Sequence, residues 1–317
     1  MHTYLDFESQ VAEFEAKIAE LKALSADDPA MAIDEEVRQL EGKAAKSLAE
    51  LYAKLDPWQK AQVARHPHRP HYMDYARSLF SGFTALAGDR KFGDDASILG
   101  GPAWFGDEPV MLIGQEKGHD TQARIAHNFG MARPEGYRKA VRLMEMAERF
   151  GLPVISFIDT PGAYPGIGAE ERGQSEAIAR SIDRGLGLTV PSIAVIIGEG
   201  GSGGAVAIAT ANRVLMLEHA IYSVISPEGA ASILWRDSNK AEDAAVALKI
   251  TAGDLKALKI IDEIIPEPVG GAHRDPEHMM AKTGVAISAG LARLKELDPE
   301  ETRRQRRDKF LAIGRSL

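Results

Sequence analysis

Apolar residues return every three to four positions along the first quarter of the chain. Val11, Phe14, Ile18 and Leu21 make one stripe, and Val37, Leu40, Ala44, Leu48, Leu51 and Leu55 make a second, with charges of both signs on the other faces. That period predicts two amphipathic helices, paired as an antiparallel hairpin with its loop near Asp27-Asp28-Pro29. Asp56-Pro57-Trp58 is expected to end this unit, before a connector rich in Pro and His, Arg65-His66-Pro67-His68-Arg69-Pro70-His71. From about Val110 the pattern changes to continuous apolar runs: Val110 to Ile113, Val154 to Ile158, Ile193 to Ile197, Val214 to Leu217 and Tyr222 to Ile225. Runs of this length predict strands buried on both faces. Between them, Tyr137, Val141 and Met144 line one helix and Ile178, Ile182 and Leu186 another, so the body reads as α/β, a sheet covered by helices. The strand starts are unevenly spaced, which fits a regular doubly wound sheet poorly. The division expected is 1–80, helical hairpin and connector, and 81–317, the α/β domain.

Composition narrows the chemistry. The 317 residues are 44% hydrophobic and 26% charged, which excludes a disordered or collagen-like chain. Cysteine is absent, so disulfides, thiolate nucleophiles and cysteine-ligated zinc are excluded, and no metal is expected in this chain. A net charge of −8 argues against general nucleic-acid binding. The start, Met1 to Gln10, carries Asp6 and Glu8 where a secretory signal would be basic and then apolar. The longest uncharged stretch, between Arg184 and Glu199, has 14 residues and contains Pro191, too few to span a bilayer. A cytoplasmic protein without membrane contact is the expectation.

The 30 glycines concentrate in two places. Asp159-Thr160-Pro161-Gly162-Ala163-Tyr164-Pro165-Gly166-Ile167-Gly168 follows the strand ending at Ile158, and Gly198-Glu199-Gly200-Gly201-Ser202-Gly203-Gly204 follows the strand ending at Ile197, before a short helix expected near Ala205. Glycine leaves backbone amides unshielded, and amides at a helix start are unpaired and partly positive, so the second loop suits an anion or a developing oxyanion.

Several readings compete for it. Gly198, Gly200 and Gly203 satisfy G-x-G-x-x-G, with Glu218 placed for a ribose, as in a dinucleotide-binding oxidoreductase. Gly200, Ser202 and Gly204 satisfy G-x-S-x-G, with Asp262 and His273 in hydrolase order, which would make Ser202 the nucleophile of a serine hydrolase. Asp159-Thr160-Pro161-Gly162 looks like a GTPase switch, but no phosphate-holding P-loop accompanies it. A further reading uses both loops, converging two sets of amides on one oxygen.

Longer stretches carry a resemblance. Arg133-Pro134-Glu135-Gly136-Tyr137-Arg138-Lys139-Ala140, Ile158 to Gly166 with Glu170-Glu171-Arg172-Gly173-Gln174, the Gly198 to Gly204 run, Ile221 to Gly229, Ile233 to Asp237 and Ile261 to Pro268 resemble the α subunits of bacterial acetyl-CoA carboxylase carboxyltransferases, in the biotin-dependent carboxyltransferase family. The resemblance runs from the N-terminal helices to about Arg274. It implies a crotonase-like (ClpP/crotonase) spiral of ββα units and an α2β2 assembly with a β subunit that carries a zinc ribbon. It also implies transfer of a carboxyl group from carboxybiotin, on a biotin carboxyl carrier protein, to acetyl-CoA, giving malonyl-CoA for fatty-acid synthesis. ATP would be used only by the biotin carboxylase of the larger complex. By position, the amides of Gly162, Ala163, Gly203 and Gly204 would hold the oxyanion, and Arg172, Tyr164, Gly201 and Ser202 would line the substrate.

Arg172 reads as a carboxylate clamp or as a partner of Glu170 or Glu176 on its own helix. Arg65, His66, His68, Arg69 and His71 read as a CoA-phosphate grip or, with their prolines, as subunit contact or packing. Lys117, Arg138 and Lys139 read in the same two ways, with surface charge the commoner explanation, and Arg303-Arg304-Gln305-Arg306-Arg307 as a weak nucleic-acid contact or, more commonly, a solvated helix end.

Overall fold

The computed structural model describes residues 3–27 and 33–315. The hairpin is α1 (Ser9–Asp27) against α2 (Asp34–Tyr52); most of its loop, including Asp28-Pro29, lies outside the described residues. Val11, Leu48, Tyr52, Leu55 and Val63 form one small apolar cluster, and Ile18, Val37, Leu40 and Ala44 another. Asp56-Pro57-Trp58 does not end a unit but begins a helix, α3 (Pro57–Ala64). Asp56 accepts the Gln59 amide at 2.8 Å while the Gln59 side chain takes the Asp56 amide at 3.0 Å, and Pro57 has no N–H to leave unpaired. After the connector comes α4 (Tyr72–Leu79), whose Tyr72 and Tyr75 rings pack on Phe157, 5.9 and 5.2 Å between centroids, inside the main core. Within 1–80, therefore, α4 packs with the sheet rather than with the hairpin.

The remaining elements run β1 (Ile98–Phe105), β2 (Glu108–Gln115), α5 (Thr121–Ala126), α6 (Pro134–Phe150), β3 (Val154–Thr160), α7 (Ile167–Glu171), α8 (Gln174–Gly187), β4 (Ser192–Gly201) and α9 (Ser202–Ala209). Then come β5 (Arg213–Leu217), β6 (Ile221–Ser223), α10 (Pro227–Trp235), α11 (Ala241–Ala247), α12 (Ala252–Ala257), β7 (Glu263–Ile265), α13 (Pro276–Leu294) and α14 (Pro299–Ala312). The expected strand Tyr222 to Ile225 is shorter, ending at Ser223. No helix among the described residues is long and apolar enough to cross a membrane.

The sheet order is β1-β2-β3-β4-β5-β7, with β1 antiparallel to β2 and every other pair parallel. Parallel strands added in chain order wind in one direction, with no reversal point. β3 is buried at every position, so both faces of the sheet are covered. α6 and α9 pack on β1 to β4, while α4 and α13, in contact with each other, pack on β3, β4 and β7.

β4 changes partners along its length. Ile193 to Ile196 pair with β5, whereas Glu199 to Gly201 pair with β6. Between these stretches the β3 ladder slips: Ile158 faces Ile196, but Thr160 faces Gly200, so two steps on β3 match four on β4. The glycine run expected as a loop is thus strand as far as Gly201, and the helix starts at Ser202 rather than near Ala205.

Candidate active site

The slip in the ladder brings two backbone segments together. Past Thr160 the chain leaves the sheet as Pro161-Gly162-Ala163-Tyr164, and past Gly201 it turns directly into α9. The contact is backbone on backbone: a Cβ on Gly201 would stand 2.2 Å from the Pro161 carbonyl, and one on Gly204 2.7 Å from the Ala163 nitrogen. Only glycine fits at these two positions. Gln115, fully buried at the end of β2, braces the pair by accepting the Asp159 amide at 3.2 Å and donating to the Gly204 carbonyl at 2.8 Å.

Four amides were expected to face an oxyanion. Gly203 and Gly204 lie in the first turn of α9, where no intrahelical acceptor exists. The Ala163 amide has no acceptor among the described residues. Gly162 differs: its amide donates to Thr160 Oγ1 at 3.1 Å in a local turn, so that donor is spent internally. Tyr164 donates its amide to Ala132 at 3.0 Å and lies beneath Arg133, whose guanidinium stands 4.8 Å from the ring centre. Beside Gly203 opens a mostly apolar cleft of about 410 Å³, lined by Ser202, Val206, Tyr222, Leu258, Phe310 and Ile313 among others.

Beneath the junction lies a buried charge network. Lys117 Nζ reaches Asp159 at 2.7 Å and Glu199 at 2.9 Å. Asp159 also faces His71 Nδ1 at 3.3 Å, and Glu199 accepts from Arg65 at 2.8 Å. Burial would raise both acids, but Lys117 with His71 outweighs it at Asp159, and Lys117 with Arg65 at Glu199, so both carboxyls are held below their ordinary range. Burial likewise pulls Lys117 down, and the two carboxylates outweigh it, so the ammonium is held charged.

These contacts correct several expectations. Lys117, Arg138 and Lys139 are not surface charge: Arg138 binds Asp89 at 2.7 Å and Glu135 at 3.0 Å, and Lys139 is buried against Asp94 at 2.6 Å. Arg172 does hold a carboxylate, but that of Glu135 on α6, at 2.7 and 3.2 Å, so its fork is filled from within and not by Glu170 or Glu176. Within the connector, Arg69 and His66 are packing residues: Arg69 is buried against Glu267 at 2.7 Å, and His66 stacks on His273 at 3.6 Å. No group of three His, Asp or Glu among the described residues is arranged to hold a metal.

Ser202 has the left-handed φ of +52° expected of a nucleophile on a strained turn, yet neither of its expected partners serves it. Asp262 is taken by Lys309 and by the Val214 amide at 2.6 Å, and His273 is stacked on His66. The dinucleotide reading fails on topology. Gly198 and Gly200 lie within β4, the sheet has no reversal point to open a crevice, and Glu218 accepts the Glu267 amide at 3.0 Å.

Comparison with known proteins agrees with this geometry. Residues 4–314 match the model of the family described as acetyl co-enzyme A carboxylase carboxyltransferase-like. Over all 317 residues, and the whole of each relative, the chain is 67% identical to the acetyl-coenzyme A carboxylase carboxyl transferase subunit alpha of Methylobacterium sp. (strain 4-46) and 64% identical to that of Azorhizobium caulinodans. Among solved structures, transcarboxylase 12S superposes with a TM-score of 0.57 at 19% identity, over 71% of this chain and 42% of that one. A Pseudomonas malonate decarboxylase hetero-dimer superposes with a TM-score of 0.57 at 17% identity, over 75% of this chain and 94% of that one. Such distant likenesses speak for the fold, a crotonase-like spiral. With a family model matched along nearly its whole length and relatives this close, the chain belongs to the acetyl co-enzyme A carboxylase carboxyltransferase family.

Proposed function

We propose that this chain is the oxyanion-holding half of a two-subunit carboxyltransferase that moves a carboxyl group from carboxybiotin to acetyl-CoA, giving malonyl-CoA. The observation that carries the reading is the junction of the two segments, where the amides of Ala163, Gly203 and Gly204 lie close together without intrahelical or other protein acceptors among the described residues. As the carboxyl group leaves the carrier's biotin, negative charge gathers on the ureido oxygen, and fixed amides are the groups that hold such charge without reorganising. Each donor of this kind is worth about 3 kcal/mol of barrier lowering in other enzymes. The apolar cleft beside Gly203 gives a flat, weakly polar ring a place to rest while water is kept out. No side chain in this chain needs to act as a base, because the biotin anion takes the proton from acetyl-CoA.

A β subunit bearing a zinc ribbon would hold the thioester, in an α2β2 assembly supplied by a biotin carboxyl carrier protein and, upstream, by an ATP-using biotin carboxylase in the cytoplasm. The relatives' designation as a subunit alpha supports a multi-subunit enzyme. So do the exposed Val224, Ile233 and Leu234, apolar residues that an isolated chain would leave in water.

The test is reconstitution. The chain alone forms no malonyl-CoA from carboxybiotin and acetyl-CoA, and forms it when mixed with the β subunit; turnover by the isolated chain would overturn the proposal. Gly203→Val, which crowds Ile178 and the mouth of the amide site, removes transfer while the complex still assembles. Unchanged turnover in that variant would refute the assignment of the amides.

A further inference from the structure

The broken ladder between β3 and β4 leaves backbone groups that side chains must satisfy. Asp159 Oδ1 accepts the Glu199 amide at 2.9 Å, and the Ile197 carbonyl takes both Nε and Nη2 of Arg69, at 3.2 and 2.9 Å. This repair places two carboxylates together in a site where their side chains are only 4% and 11% exposed. Gly198 permits the approach: a Cβ there would stand 2.4 Å from Asp159 Oδ1.

We propose that Lys117 is a positioning residue for carboxyl transfer: by bridging Asp159 and Glu199 it sets the separation of the segments that carry the Ala163 and Gly203 amides. The inference rests on the reading of those amides given above. Asp159 stands two residues before Pro161, and Glu199 two before Gly201, the pair in direct backbone contact, so the ammonium clamps the base of that contact. Lys117 is itself fixed, because the adjoining Glu116 carboxylate accepts the amides of Gly118 at 2.7 Å and Met73 at 2.9 Å.

The other charged and titratable groups facing the clamp come from every element packed around it. His71 and Arg65 from the connector touch Asp159 and Glu199, and Arg69 caps Ile197. Glu228 of α10 binds Arg65 at 2.5 Å, the His119 ring lies 4.6 Å from that of His71, and Arg124 of α5 lines the same small cleft. Lys117 is the one group among the described residues whose nitrogen touches both acids.

A displacement of reacting groups by about 1 Å can cost on the order of 100-fold in rate. Without the lysine the two carboxylates repel, and like charge raises the pKa of one of them. In the full complex with the β subunit, Lys117→Met therefore lowers kcat at least about tenfold with KM for acetyl-CoA within about twofold. Its activity recovers on acidification from pH 8 to pH 6 as a proton replaces the lost cation, a recovery that wild type does not show. Adding Glu199→Gln to it recovers part of the rate at pH 8. Lys117→Arg keeps the charge but lengthens the bridge, so kcat falls at least about fivefold at an unchanged melting temperature.

Wild-type kcat in Lys117→Arg overturns the positioning role, even where Lys117→Met fails to fold. So does a Met variant whose lost activity matches its lost folded fraction at every pH, or one that changes KM alone. Gly203→Val, assayed in parallel, reports on the amide reading by itself. An active Gly203→Val complex sinks that reading, whereas an inactive one beside a fully active Lys117→Arg sinks only the clamp.

Discussion

Gly201, Gly203 and Gly204 lie within four positions of one another and carry different burdens. Gly201 and Gly204 are fixed by contact with the backbone of the other segment, while a Cβ on Gly203 would meet only Ile178, at an ordinary 3.4 Å. Gly201→Ala and Gly204→Ala are therefore expected to force the segments apart, lowering the melting temperature and removing transfer, whereas Gly203→Ala folds as wild type. Thermal melts of the three variants separate these outcomes. A second expectation concerns His273, whose pKa burial and the neighbouring His66 push down to about 2. His66 is also lowered, chiefly by burial, and its Nδ1 accepts the His68 amide, which a protonated ring could not do. Because the folded pKa lies below the unfolded value of 6.5, the unfolded chain takes up protons first. The histidines' stability is present above pH 6.5 and is lost as pH falls below it. Glu267, held down to about 2 by Arg69 against burial, adds a second loss that begins only below its ordinary 4.5. Urea unfolding should show stability falling by about 1 kcal/mol per pH unit between pH 6.5 and 4.5, and His273→Phe should flatten that limb while leaving the lower one. At this scale the sequence was partly legible. The glycine surplus marked the right segments, but Lys117 carried no pattern, because its partner Glu199 lies 82 residues away.

Elements were legible where the physics was local. β3 and β4 each hold a mainly apolar run because both faces are covered, and the stripes of α1, α2 and α6 follow their buried sides, whereas on α8 the expected Ile178, Ile182 and Leu186 are half-buried beside the small residues Ala177, Ser181 and Gly185 that pack inward. β1 was not seen. Gly100-Gly101-Pro102 interrupts its apolar run, and it is a strand because it pairs with β2 along its whole length while the segment at Ser81 to Leu86 bonds along its outer edge. A Cβ on Gly101 would stand 1.9 Å from the Thr84 carbonyl, so this glycine answers to close approach and not to a turn. α14 was misread more deeply. Arg303 and Arg304 pair with Glu300 and Glu301 at the surface, as a solvated helix should, but Arg306 is fully buried. Its guanidinium donates to Ser192 Oγ, to the carbonyls of Gly185, Leu188 and Val190, and to Asn212. Arg306→Met keeps the apolar stem and strands those acceptors, at a cost of about 3 kcal/mol or more. For a chain of this size about 3 kcal/mol lowers the melting temperature by roughly 4–5 °C. Because Phe310 and Ile313 wall the cleft beside Gly203, the same variant should also weaken whatever binds there, measurable as a raised KM for the biotin substrate.

For the molecule as a whole, the uneven strand spacing already spoke against a doubly wound sheet, and the structure supplies the reason. From β2 to β5 each strand joins beside its predecessor, β6 returns to β4 and β7 to β5, and β4 turns from one neighbour to another along its length. That turn was illegible in the sequence, because it rests on Asp159 and Arg69 taking over ladder bonds from residues 40 and 128 positions away. Zero cysteine and a net charge of −8 limited the chemistry without locating it.

The strand order also sets an order in time. A sheet whose strands add in sequence need not wait for a distant partner before it grows, and waiting for late segments is what slows most sheets and exposes them to misassembly. As the chain leaves the ribosome, β2, β3, β4 and β5 can each dock on finished neighbours. Two sockets stay open after those strands are made: Arg69 lacks its carboxylate until Glu267 is made, and the hollow ringed by Ser192, Gly185 and Asn212 lacks its cation until Arg306 arrives. The nascent subunit thus carries its paired amide segments before it is sealed, and α14, made well after them, is the helix that closes it.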